Sequence, residues 1–210
     1  MRHHLLAACT VLGALALATS VGASTALTGS LSGWKSLAGR WAETTDFGVE
    51  NGTVVTGFAA ANGVSGRVNS VVRQVGQGWL TWSGGYIGQI LGDAESSTVV
   101  VTLDGPVRGF GFFAEPVSFA LFDVTLETSD GGRFTQAVHG LGGARFFGWT
   151  GRGVSGFKIT STDGLGIGDF FTAFGSGVPE PAPWAMMLVG VGGLGAVVRK
   201  SRRTTGSVTA

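Results

Sequence analysis

The feature that most constrains this chain is the stretch from 97 to 174, where apolar side chains alternate and turn residues interrupt at short intervals. Ser97 to Leu103 alternates and is β-branched through Thr98, Val99, Val100, Val101 and Thr102. Asp104-Gly105-Pro106 reads as a turn. Val107 to Phe113 puts Gly109 and Gly111 on one face and Phe110 and Phe112 on the other, and Pro116 ends it. Val117 to Thr128 alternates throughout, with Val124 and Leu126 facing opposite to Asp123 and Thr125. Ser129-Asp130-Gly131-Gly132 is a hairpin turn, from which Arg133 to Val138 returns. Phe146 to Trp149, Val154 to Thr160 and Ile167 to Phe174 follow. A period of two sends successive side chains to opposite faces of a strand, so one face can be buried and the other solvated. Six or more such strands with turns between them predict an all-β domain, an antiparallel β-sandwich or jelly roll.

The pattern is weaker upstream. Val49 to Val55 contains Asn51-Gly52 between apolar residues, which predicts a hairpin. Asn62-Gly63 and Ser65-Gly66 punctuate the next loop. Val68 to Val75 reads as a strand of poor periodicity, and Trp79-Leu80-Thr81-Trp82 as a short one. Residues 24 to 45 show no clear element, and helical periodicity is hard to find anywhere after Ser24. Glycine is abundant, 38 of 210 residues, but only 5 prolines accompany it, which excludes collagen-like and polyproline structure.

The two ends are of different character. Met1-Arg2-His3-His4 is a short positive region, Leu5 to Ala18 is apolar apart from Thr10, and Val21-Gly22-Ala23 is a small-residue site. These three parts in order predict a signal peptide cut between Ala23 and Ser24. Cys9, the single cysteine, would leave with it, so the mature chain would be held by burial without a disulfide. Residues 24 to 178 carry nine cationic and twelve anionic side chains, a net charge of −3. A charge-poor, mildly acidic body lacks the basic face that nucleic acid requires.

At the other end, Val178-Pro179-Glu180-Pro181-Ala182-Pro183 is expected to be extended, because proline fixes φ and removes a donor. Trp184 to Val198 is uncharged and can satisfy its backbone in lipid only as a helix. Trp184 stands where an indole prefers the membrane boundary, and Arg199, Lys200, Arg202 and Arg203 would stay on the cytoplasmic side. At ~1.5 Å per residue, 184–198 reaches only ~22 Å, short of the ~30 Å hydrocarbon core. A segment this short and glycine-rich makes a poor permanent anchor. Gly190-x-Gly192-x-x-Gly195 matches the dinucleotide fingerprint in letters only, since no strand precedes it and no acidic residue follows.

These residues resemble a known family of sorting signals. Val178, the Pro179-Glu180-Pro181 tripeptide, Trp184-Ala185, the glycine-rich apolar run and the Arg cluster together look like a PEP-CTERM signal of the PEPxxWA subtype. The polar residues Thr204 to Ala210 depart mildly from that pattern. The resemblance implies a Gram-negative protein exported through the Sec translocon and trimmed by signal peptidase. It would be held briefly in the inner membrane, then cut by an exosortase and released to the cell surface or medium, where exopolysaccharide is the expected partner. The expected organisation is 1–23 signal peptide, 24–177 exported domain, 178–203 sorting signal (184–198 membrane helix, 199–203 basic stop) and 204–210 polar tail. More weakly, Phe110-Gly111-Phe112, Ser129-Asp130-Gly131, Phe146-Phe147-Gly148 and Ile167-Gly168-Asp169-Phe170 resemble the sandwich bodies of such proteins. Gly168 departs from the acidic residue usual at its position.

Little in the body points to chemistry. His139 is its only histidine, and a triad or metal site needs partners. It reads as a strand-end residue. Calcium would draw on Asp93, Glu95, Asp163 and Asp169, but neither the EF-hand nor the nonapeptide pattern is present, so no cofactor is expected. Trp79, Trp82 and Trp149, with Tyr86, are candidates for a glycan-stacking platform, although aromatics in a charge-poor β domain belong more often to the core. The expectation is a non-enzymatic surface or matrix protein of a biofilm. The alternatives are a secreted polysaccharide-acting hydrolase, which would show titratable residues converging in a cleft, and a self-assembling β protein with an exposed aromatic edge.

Overall fold

The structure, a computed structural model, describes residues 26–60, 62–105, 107–151 and 154–173. The expected signal peptide and sorting tail lie outside these residues. The elements in chain order are β1 (Ala26–Thr28), α1 (Leu31–Ala38), β2 (Trp41–Thr44), β3 (Val54–Ala59), β4 (Ser65–Gln74), β5 (Gln89–Asp93), β6 (Thr98–Leu103), β7 (Gly109–Pro116), β8 (Leu121–Thr128), β9 (Arg133–His139), β10 (Arg145–Thr150), β11 (Gly156–Thr160) and β12 (Leu165–Ala173).

The domain is all-β apart from α1, and every strand pairing is antiparallel. The first layer runs β1-β10-β7-β12-β5, with β2 beside the second half of β12. The second runs β3-β4-β6-β11-β8-β9. Strand β4 belongs to both: Gly66–Val68 pair with β6, and Val72–Gln74 pair with β5. The folded-over sheet nearly closes on its far side, where β9 lies against β1 and β7 and Gln136 Nε2 donates to Phe146 O across 2.6 Å.

The alternation expected from 97 onward appears in burial in β6. In β6 the side chains of Val99, Val101 and Leu103 are buried and those between them exposed. Val124 and Leu126 of β8 face inward. The β8–β9 hairpin turns at Ser129–Gly132, where Gly131 has φ 89°, a left-handed value that glycine adopts without a Cβ clash. Between the layers Phe110, Phe112, Phe147, Trp149, Phe157 and Phe170 form one aromatic core.

Strand β12 has to change phase to join that core. Leu165 and Ile167 face inward, and so does Phe170, three residues on. A bulge between Gly168 and Phe171 supplies the extra residue, and Asp169 takes φ 52° there. Aspartate tolerates this left-handed conformation better than most residues.

Four local expectations are corrected. Residues 24–45, which show no clear element in the sequence, contain a strand, a helix and a strand between Ala26 and Thr44. Ser30 caps α1 by accepting from Gly33 N, and Trp34 anchors it. The Asn51-Gly52 turn joins no strand pair: only β3 follows it, and Asn51 Oδ1 instead accepts from Gln74 N. The true hairpin is β3–β4, turning at Asn62-Gly63 with Ala60 N bonded to Val64 O. Trp79–Trp82 is a loop, and the strand in this region is β5. Residues 117–120 bend before β8 begins. Strand β4 sends Val68 and Val72 into the main core with Arg67 and Asn69 exposed opposite, and Val75, just beyond its end, packs with Trp79 and Ile90.

A single row across five strands, Ala26, Thr150, Gly109, Ala173 and Trp41, lies at one end of the first layer. The described chain therefore enters and leaves at the same end. Leu165, paired with Pro116 and Asp93, marks the opposite end, about 25 Å away at ~3.3 Å per strand residue.

Candidate functional site

The outer face of the first layer is covered twice. Helix α1 covers the half near Ala26 and Ala173. Gly109, Gly111 and Gly148 leave a groove there, which Trp34 and Phe146 occupy; a Cβ on Gly111 would sit 2.4 Å from the Phe146 ring. The loop 75–88 covers the other half through Trp79, Trp82 and Tyr86. The rings of Trp79 and Trp82 lie 6.5 Å apart and nearly perpendicular, and Trp82 and Tyr86 follow at 5.8 Å. Two carboxyl groups that the sequence reading did not single out as a pair, Glu115 and Asp169, face this same side.

Glu115 is wholly buried. Its Oε1 accepts from Thr81 Oγ1 and from Gly142 N, both at 2.9 Å. Thr81 Oγ1 also lies 3.2 Å from Gly140 O. One carboxyl oxygen thus ties the loop carrying Trp79 and Trp82 to the β9–β10 loop. Glu115 Oε2 has no hydrogen-bond partner among the described residues. Burial disfavours the ionised form and pushes the Glu115 pKa from the ordinary 4.5 up to about 7, with the Thr81 and Gly142 hydrogen bonds opposing the shift.

A folded-state pKa above the unfolded value means that the native protein holds the extra proton. The stabilisation is complete below about pH 4.5 and is lost as pH rises through about 7. For a shift of this size the loss is on the order of 3 kcal/mol. The variant Glu115→Gln cannot ionise. Urea titrations are therefore expected to show it gaining on wild type between pH 5 and pH 8; parallel stability curves for the two proteins would contradict this.

Asp169 is raised as well, by burial first and then by a hydrogen bond to, and repulsion from, Glu43 on neighbouring β2, with Lys35 opposing. Tyr86 Oη accepts from Asp169 N at 3.2 Å and donates to Gln89 O at 2.6 Å. Its own pKa is pushed well up by burial.

Beyond the loop cover, at the end far from Ala26 and Ala173, lies a groove of about 360 Å³. It is lined by Trp79, Leu80, Val117 and Phe119, with Arg73 and Asp93 among its polar residues. Arg73 Nη2 stands 3.2 Å from Asp93 Oδ1. Around this end Leu80, Phe119, Leu121 and Leu141 are each more than half exposed.

The candidate residues are thus dispersed. Trp149 is fully enclosed in the main core and stacks on Phe110 at 5.5 Å, so it offers no face to a ligand. Trp79 is 7% exposed and borders the groove, and Trp82 is half-buried beside it. Of the proposed calcium donors, Asp93 is engaged by Arg73, and Asp163 accepts from Ser118 N and Oγ. Among the described residues no three acidic, histidine or cysteine side chains converge. His139 is exposed at the end of β9, its Nδ1 accepting from Leu141 N. Phe119 and the Arg73–Asp93 pair were missed because no local pattern links positions 73, 93 and 119; the fold alone brings them together. No helix among the described residues is long and apolar enough to cross a membrane. No protein-family model matches the chain, and no curated protein does.

Proposed function

We propose that this is an exported, non-enzymatic surface or extracellular-matrix protein with a jelly-roll-type body. Its C-terminal signal is cut by an exosortase, and the product associates with exopolysaccharide. The observation that carries this reading is the order of Pro179-Glu180-Pro181, Trp184-Ala185, an uncharged run to Val198 and a basic cluster. The fold supports it in one respect. A tail attached after Ala173 leaves from the same end as Ala26, so a body held by that tail would present its far-end loops outward. The hydrolase alternative requires carboxyl groups open to a cleft. Glu115 is instead enclosed and committed to structural hydrogen bonds, which favours the non-enzymatic reading.

The intact mass of the protein recovered from the host's medium and envelope tests the proposal. A species beginning at Ser24 and ending between Pro179 and Trp184 is expected. A chain running through Ala210 and retained in the inner membrane would replace the sorting signal with a plain anchor.

A further inference from the structure

We propose that the far-end groove between Trp79, Leu80, Val117 and Phe119 is a binding site for a neutral saccharide, with the Arg73–Asp93 pair reading its hydroxyl groups. This deepens the exopolysaccharide reading and rests on it for the ligand's source, but the site's chemistry is argued from the groove itself. Its volume, about 360 Å³, lies within the range of small-molecule sites. Phe119 is 54% exposed and Leu80 79% exposed, so an aromatic ring and an aliphatic side chain are available to the C–H faces of a pyranose.

The polar part selects among occupants. Arg73 and Asp93 are each only about 30% exposed and already satisfy one another in part, and Asp93 Oδ1 also accepts from Ala94 N at 2.7 Å. An anion would be repelled by Asp93 and a cation by Arg73. A purely apolar segment, from a second copy or another protein, would desolvate the pair without offering it hydrogen bonds, which is costly. Adjacent hydroxyls donate to the free carboxylate oxygen and accept from the guanidinium at once, so the pair need not separate. A neutral sugar therefore meets both halves of the groove. The far-end position leaves the site clear of the end at which the described chain enters and leaves.

The test uses the full-length chain in mild detergent, so that its outcome is independent of processing. Cellohexaose, maltohexaose and mannohexaose serve as neutral probes and oligogalacturonate as an anionic one, with binding followed by calorimetry and by tryptophan fluorescence. At least one neutral oligomer is expected to bind. Phe119→Ala should weaken it about tenfold, the loss of roughly one good aromatic contact, and Asp93→Asn should weaken it too. Leu37→Ala, exposed on α1 at the other end, should not change it. Circular dichroism of each variant confirms the fold, and Phe119, being exposed, can be removed without opening the core. The proposal falls if the folded wild type binds none of the neutral oligomers, if Phe119→Ala and Asp93→Asn leave binding unchanged, or if oligogalacturonate is preferred. It also falls if sedimentation shows self-association that Phe119→Ala abolishes, since the groove would then belong to a second copy. A failure here leaves the intact-mass result standing, and an uncut tail leaves the binding result standing.

Discussion

Phe112→Ala is expected to lower the unfolding free energy by about 3–5 kcal/mol, the range for an aromatic ring removed from a packed core. Phe112 is fully buried at the centre of the inter-layer cluster. It stacks on Phe157 at 4.8 Å and Phe147 at 6.1 Å, and contacts Phe110 and Phe170 at 6.2 and 6.3 Å. Four rings from four strands lose a shared neighbour together, and rings on strands cannot collapse into the void without moving backbone. A domain of this size typically has about 5–15 kcal/mol in total, so much of its stability rests on this side chain. Urea unfolding of both proteins at one fixed pH keeps the Glu115 proton linkage common to them and isolates the effect. A loss below about 1 kcal/mol would mean that the layers repack freely and that the core is not the close-packed one described.

Trp34→Ala is expected to cost a similar amount, about 3–5 kcal/mol, by a different route. Trp34 lies on the outside of the first layer, yet it is wholly buried. It meets Phe146 edge-on at 6.0 Å and Phe171 at 6.1 Å, and its Nε1 donates to Trp149 O at 2.8 Å. Its removal takes away that hydrogen bond and frees α1, which has eight residues and is too short to persist without its anchor. Leu31, Trp41 and Phe113, packed against the same cluster, would be uncovered with it. Trp34→Phe should recover most of the packing and none of the hydrogen bond, leaving a residual cost of about 1 kcal/mol. Amide hydrogen exchange in α1 and β10 distinguishes the two variants. If exchange at α1 is unchanged in Trp34→Ala, the helix is held by something other than this indole.

The sequence alone determined the elements whose side chains follow one rule. Strand β6 alternates in the letters because it has a buried and a solvated face, and the Asp130-Gly131 turn is legible because its geometry selects its residues. The inward face of Phe110 and Phe112 and the glycine face opposite could be read directly from the order Gly109-Phe110-Gly111-Phe112. The proposed processing signals are likewise linear features, argued from order and composition without a fold.

Only the tertiary structure decided the rest, wherever a residue's role depends on what packs against it. Short α1 has no periodicity of its own to display. It forms because Trp34 fits the space over Gly111 and Gly148, residues far away in the chain. Strand β4 obscured its alternation by passing from one layer to the other, so that its partners change along its length. Trp149 and Trp79 look alike in the sequence, yet one is sealed between layers and the other borders a groove. Glu115 gives no local sign of its raised pKa, which comes from the loops at Thr81 and Gly142 closing over it. Arg73, Asp93 and Phe119 become one surface only because β4, β5 and the bend after β7 end at the same edge, and burial and juxtaposition are properties of that packing rather than of any segment.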